Sequence, residues 1–168
     1  EELNSLVRTD CKEPLLKMAA LFSAMTGLRF SDIQKLVWGE IEFINGNGYV
    51  IRFRQQKTKG QETLPVSDQA IELLGQRKSP ESKVFEGLNY SAYGNKHLAH
   101  WIGAAGITKD ITFHCFRHTF ATLQLSQGTD IYTVSKMLGH RDLKTTQIYT
   151  KIIDENKRAA ANKIKLEL

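Results

Sequence analysis

Cysteine and proline are scarce in this chain of 168 residues, which holds two of the first and three of the second. Cys11 and Cys115 cannot build a disulfide framework, and they fit a reducing cytosol better than a secreted scaffold. So few prolines, beside 41% hydrophobic and 24% charged residues, exclude fibrous and disordered classes and leave that of a soluble globular protein. No stretch approaches the roughly 20 apolar residues of a membrane span, and no signal peptide opens the chain. Internal repeats and low-complexity segments are missing as well. The chain also lacks an initiator methionine and begins within Glu1-Glu2-Leu3, which leads us to expect a domain of a longer protein. What is present is enough for one domain, residues 1–168, with a net charge of +5 that favours a polyanionic partner such as nucleic acid.

Hydrophobic spacing predicts a mainly α protein with a small three-stranded antiparallel sheet, an α+β arrangement. A helix is expected from about Lys12 to Ala24, ended by Gly27, followed by a short one capped by Ser31 or Asp32 and running through Leu36. Val37–Phe43, Tyr49–Arg54 and Glu62–Val66 read as strands, joined by the turn Asn45-Gly46-Asn47-Gly48 and by a loop over 57–61. Ser67 is expected to cap a helix through Leu74, and Ser91–Ala104 to be helical. Thr112 is a candidate cap for a helix with Phe113, Phe116, Phe120 and Leu123 as its apolar stripe. Gly128 would end it. Asp130 would cap the next helix, which Gly139 would end, and Asp142 and Asp154 would start two more.

The chemistry-bearing residues lie in four places. His114 and Arg117 are one helical turn apart, His140 follows Gly139, and Tyr149 comes nine residues later. Arg29 stands in Thr26-Gly27-Leu28-Arg29, where a helix has just stopped, and Lys57 lies in the polar hairpin loop. Taken singly, each has an ordinary explanation: a solvated cation, a charge complementing a helix C-terminus, an exposed cap, a half-buried tyrosine. Together, two arginines, two histidines and a lysine around one tyrosine suit attack on a phosphodiester with neither metal nor cofactor.

The order and spacing of these boxes resemble the catalytic domain of the tyrosine recombinases, the phage integrase family, from Glu2 to about Ile153. Thr26-Gly27-Leu28-Arg29 with Ser31-Asp32-Ile33 resembles the first arginine box, and Gln56-Lys57-Thr58 with Leu64-Pro65-Val66 the hairpin lysine. His114-Cys115-Phe116-Arg117-His118-Thr119 resembles the His-x-x-Arg box, and Leu138-Gly139-His140 with Thr145-Thr146-Gln147-Ile148-Tyr149 the nucleophile box. The style is similar to that of integrases of bacterial mobile elements such as conjugative transposons. Lys59 competes with Lys57, but the spacing to Pro65 resembles the family's when counted from Lys57. The amino-terminal core-binding domain usual in the family is absent from this chain.

The resemblance implies a site-specific recombinase or integrase that breaks and rejoins DNA through a 3′-phosphotyrosyl link. Tyr149 would be the nucleophile, His114 the general base, Arg29, Arg117 and His140 the phosphate ligands, and Lys57 the acid for the departing 5′-oxygen. It further implies duplex DNA as partner, a tetramer on DNA for the full-length protein, a monomer for the isolated domain, and a DNA-associated place in the bacterial cytoplasm. Residues 154–168, amphipathic and basic, would dock on a neighbouring protomer or pack on their own domain. Type IB topoisomerases share this chemistry, so strand relaxation is one alternative. A non-catalytic DNA-binding module is another, though phosphate binding alone requires neither Tyr149 nor the ordered histidines. A metal-dependent nuclease built on His114, Cys115 and His118 lacks a third ligand at the next turn.

Overall fold

The computed structural model describes residues 1–163, apart from the side chains of Thr146, Gln147 and Thr150. Eight helices and one three-stranded sheet make up this part. Helix α1 is Glu2–Arg8, a segment whose single buried residue, Leu6, is too weak a periodic signal to have been read from sequence. It is held by Trp101, whose indole Nε1 donates to the carbonyls of Leu6 and Thr9 at 3.2 and 3.1 Å. Helix α2, Pro14–Thr26, starts two residues after Lys12 because Pro14 occupies its first turn, where a missing N–H costs nothing. It is buried on nearly all sides, with Ala19, Ala20 and Phe22 fully enclosed, and it packs against α6 and the helices around it.

Helix α3 is Phe30–Lys35, capped by the Arg29 backbone and not by Ser31 or Asp32. The Asp32 side chain is turned inward instead, as described below. The first strand, β1, is Ile41–Ile44 and not Val37–Phe43. Residues Trp38–Glu40 form a 3₁₀ turn first, closed by Glu40 Oε2 accepting from the Val37 amide at 3.1 Å and by the Gly39 amide donating to Pro80 at 2.8 Å. Strands β2, Gly48–Arg54, and β3, Gln61–Val66, complete an antiparallel meander in which Ile51 stands between Ile41 and Leu64. Pro65 sits on the edge strand β3, where its missing donor removes little from the ladder.

Helix α4, Asp68–Glu72, begins at the expected cap, with Ser67 Oγ accepting from Ala70; α5, Ala92–Ala104, begins one residue after Ser91, whose Oγ caps it by accepting from Gly94. Helix α6 is His114–Ser126, with no side-chain cap from Thr112; only the Thr112 carbonyl accepts, from the Cys115 amide. Its buried stripe is Phe113, Phe116, Phe120, Ala121 and Leu125, and Leu123 falls outside it, 40% exposed. Phe120, Ala121 and Leu125 are buried in a cluster with Val134 and Leu138, and Leu123 lies outside it. Helix α7, Ile131–Met137, is capped as expected by Asp130, which accepts from the Thr133 amide at 2.9 Å. Beyond it a 3₁₀ segment, Leu143–Tyr149, runs straight into α8, Thr150–Ala161, so Asp154 starts nothing. Helix α8 packs on its own domain: Asn156 Nδ2 donates to the Leu125 carbonyl and Ile152 lies against the cluster of Phe120, Leu138 and Tyr149. The terminal Leu166-Glu167-Leu168 lies outside the described residues. No described helix is long and apolar enough to cross a membrane.

Candidate active site

Two glycines decide where the arginines and the second histidine stand. Gly27 ends α2 at φ +75°, and a Cβ there would come within 2.6 Å of Phe120 Cδ1. Only glycine lets the chain turn so close to α6, and the turn delivers Arg29 and the Gly27 carbonyl to the site. Gly139 does the same after α7, at φ +67°. Its amide donates to Lys136 and that of His140 to Ser135, the paired bonds of a Schellman ending that fixes the backbone of His140. A Cβ on Gly139 would overlap the side-chain amide of Gln55, a 3%-exposed residue at the end of β2.

We therefore expect Gly139→Ala to destabilise the fold by more than the about 1–2 kcal/mol that a left-handed backbone costs an alanine. In a Gln55→Ala background the same change should cost less, because the overlap is gone; urea unfolding of the four combinations measures the coupling. Additive effects would mean that the two residues do not press on each other.

The arginine of α6 is the hub. Arg117 is 5% exposed, and its Nη1 donates to the Gly27 carbonyl while Nη2 donates to the Leu138 carbonyl at 2.8 Å. Nη2 also lies 3.3 Å from His140 Nε2. A guanidinium only donates, so Nε2 accepts and the His140 proton belongs on Nδ1. Burial, then the charge of Arg29, pulls Arg117 down to about 10, so it stays a cation at neutral pH; Asp32 and Tyr149 act in the opposite sense. Burial, then Arg117 and Arg29, pushes His140 down to about 4, which keeps it neutral.

Arg29 itself carries an Nη1 that is buried without a hydrogen-bond partner among the described residues. A buried, unsatisfied guanidinium nitrogen beside a second buried arginine is arranged for an anion, not for the protein. Asp32, expected as a helix cap and as part of the first arginine box, is 2% exposed. Its Oδ1 accepts from the Gln56 amide at 2.8 Å and so pins the base of the hairpin that carries Lys57. Two further contacts hold that hairpin: Arg141 Nη2 donates to the Thr58 carbonyl at 2.8 Å, and Thr58 Oγ1 donates to Gln55 Oε1. Lys57 and Lys59 are both exposed, but it is the Lys57 charge that acts on His114. Lys59 is engaged through its backbone at φ +57°, closing the loop with its amide on Gln55 and its carbonyl on Arg54 Nε.

Tyr149 stands at the end of the 3₁₀ segment. It is 9% exposed, its ring packed in the small cluster of Phe120, Val134 and Leu138. Burial pushes its phenol above the ordinary value, with Arg117 opposing. Its hydroxyl lies 2.7 Å from Nδ1 of His118, not against His114, the histidine expected from sequence to be the base. His114 is exposed on the first turn of α6, its ring edge-on to that of His118 with centroids 4.6 Å apart. Burial lowers His114 first, and His118, Arg117, Arg29 and Lys57 add to it. Direct bonds join Arg117 to His140, and charge links Arg29 and Tyr149 to Arg117 and Lys57 to His114. The trio His114, Cys115 and His118 forms no metal cluster, and no described group of three or more His, Cys, Asp or Glu does.

Over residues 1–156 the chain matches the phage integrase family. It belongs to that family. Among relatives, it is 34% identical over 151 residues to the tyrosine recombinase XerA of Saccharolobus solfataricus, a match covering 88% of this chain and 50% of that protein. The chain therefore spans about half the length of that curated relative. Among solved structures, the catalytic domain of bacteriophage HP1 integrase superposes with a TM-score of 0.67 at 22% identity, over 96% of this chain and 88% of that one. The XerH site-specific recombinase bound to its palindromic difH substrate, a post-cleavage complex, gives 0.71 at 21% identity, over 96% and 50%. The fold is thus that of a phage integrase family catalytic domain.

Proposed function

We propose that this domain is the catalytic part of a longer site-specific recombinase that cuts and rejoins duplex DNA through Tyr149, as a tetramer on two duplexes, in the bacterial cytoplasm. One observation carries the reading: Arg29 has a buried Nη1 with no hydrogen-bond partner among the described residues, and both Arg29 and the Tyr149 phenol act through charge on the buried Arg117, so a site for an anion lies within reach of a nucleophile. In this reading Tyr149 Oη attacks the scissile phosphorus as the P–O5′ bond breaks, leaving a 3′-phosphotyrosyl link and a 5′-hydroxyl. Arg29 and Arg117 hold the nonbridging oxygens, where charge builds, and His114 and His140 add hydrogen bonds. The phenol gives up its proton to a histidine, and Lys57 protonates the departing oxygen. The link conserves the phosphoester energy, so a new 5′-hydroxyl reverses the step without ATP. The XerA relative and the DNA-bound XerH complex support duplex DNA as substrate.

Covalent capture tests this: the full-length protein is mixed with nicked suicide duplexes from a sequence-diverse pool and the adducts are separated in denaturant. We expect an adduct with wild type, and its repeated absence would leave a DNA-binding module as the reading. For Lys57, the informative substrate carries a 5′-thiol leaving group, which needs no acid. Lys57→Ala should cleave the ordinary substrate about 10²–10³-fold more slowly than wild type, and the thiol substrate at close to the wild-type rate. An equal loss on both would remove Lys57 from the acid role.

A further inference from the structure

We infer that His118, the residue after the buried arginine of α6, is the group that takes the proton from Tyr149 as the phosphate is attacked. This rests on the proposed strand-cleavage function. The geometry is direct: His118 Nδ1 is 2.7 Å from the Tyr149 hydroxyl, within the range a proton crosses in one step. The two rings are 6.2 Å apart at 57°, so the bond lies in the approach of one edge to the other and not in a stack.

Neighbours of both residues hold this arrangement. His118 sits one turn after His114 and beside Arg117 on α6, and the His114 ring stands edge-on against it. Tyr149 is held from its other side by Phe120, Val134 and Leu138, so the phenol cannot swing far without unpacking that cluster. Burial and the Arg117 charge lower His118 below its ordinary value, so it is neutral at pH 7 and has a lone pair to offer. The phenol, raised by burial, needs such an acceptor. In the step, the O–H bond of Tyr149 breaks, Oη bonds to phosphorus, and the proton stays on His118 Nδ1 until the reverse reaction returns it. The imidazolium so formed lies next to the phosphate, whose negative charge offsets the nearby cations Arg117 and Arg29. His114 is left to bind the phosphate with those cations.

The test uses single-turnover attachment to the duplexes captured by wild type. His118→Ala and His118→Gln should both attach about 10²-fold more slowly, because the glutamine amide can hold the hydroxyl but cannot take its proton. Replacing Tyr149 by 3,5-difluorotyrosine, a more acidic phenol, should shrink the His118→Ala deficit to within about tenfold. A glutamine that restores the rate, or a deficit equal for both phenols, would reduce His118 to a packing role. A second readout stands whether or not the variants fold: ¹⁵N shifts of the wild-type chain should show His118 protonated on Nε2 and bare on Nδ1. A proton on Nδ1 would mean that His118 donates to the phenol, and the inference would fall. Wild type that captures no duplex defeats the strand-cleavage reading itself, whereas equal rates for wild type and His118→Ala defeat the inference alone.

Discussion

Tyr149→Phe should form no covalent adduct with DNA while still binding it. The substitution removes one oxygen from a ring that is 9% exposed and packed against Phe120, Val134 and Leu138. Those apolar contacts survive in phenylalanine, so the loss in stability is confined to one hydrogen bond, the one to His118, worth about 1 kcal/mol. Noncovalent affinity comes instead from phosphate contacts made by lysines and arginines, none of which the change touches. Adduct formation and binding should therefore separate completely: gel retardation near the wild-type level, with no denaturant-resistant species at any time. The neighbouring hydroxyl of Thr145 is a poor substitute, because an alkyl hydroxyl is far less acidic than a phenol. An adduct that persists in Tyr149→Phe would place the nucleophile elsewhere and dissolve the proposed mechanism.

Much of this site was legible in the sequence because glycine marks it. Gly27 and Gly139 are both at left-handed φ, and each stands one or two residues before a side chain of the site, Arg29 or His140. Helix caps were legible where the side chain itself carries the bond, at Ser67 and Asp130. They were misread where the backbone alone suffices, at Arg29 and Phe113. Helix α1 left no usable pattern, since a single buried leucine and two carbonyls bonded to Trp101 hold it, and that partner is about ninety residues away. The first strand was drawn too early because Val37 and Trp38 have strand-forming side chains, while the turn they enter is closed by Glu40 and Pro80.

Pairings across the chain were the least visible part. Nothing in the order of residues says that Asp32 will hold the Gln56 amide, that Gln55 will press on Gly139, or that Arg141 will clamp the lysine hairpin. Each joins segments far apart in sequence, and each residue alone resembles an ordinary polar surface group. The same blindness left unseen that Tyr149 would stand against His118 and not His114. His114 and His118 lie on the same helix face, a turn apart, and only the position of Tyr149 decides between them.

Arg117→Lys should lower the proposed attachment to DNA far more than it lowers stability. The lysine keeps a positive charge, but its compact ammonium cannot reproduce the fork that reaches the Gly27 and Leu138 carbonyls and His140 at once. One buried carbonyl left without a donor costs about 1–3 kcal/mol. Against that stands a partial relief, since Arg29 and Arg117 repel each other across the site and a flexible ammonium can move away. The net change should lie at the lower end of that range, about 1–2 kcal/mol in urea unfolding, and the protein stays folded at room temperature. Attachment to DNA should fall by about 10²–10³-fold, because the lost donor acts where charge develops on the phosphate. His140 should respond too. With its Nε2 no longer beside Nη2, its proton is not confined to Nδ1, and its depressed value should climb back from about 4 as the neighbouring cation recedes. The climb can be followed by ring-proton shifts against pH. If attachment falls no further than the folded fraction does, Arg117 is a structural strut and the phosphate is held by Arg29 alone.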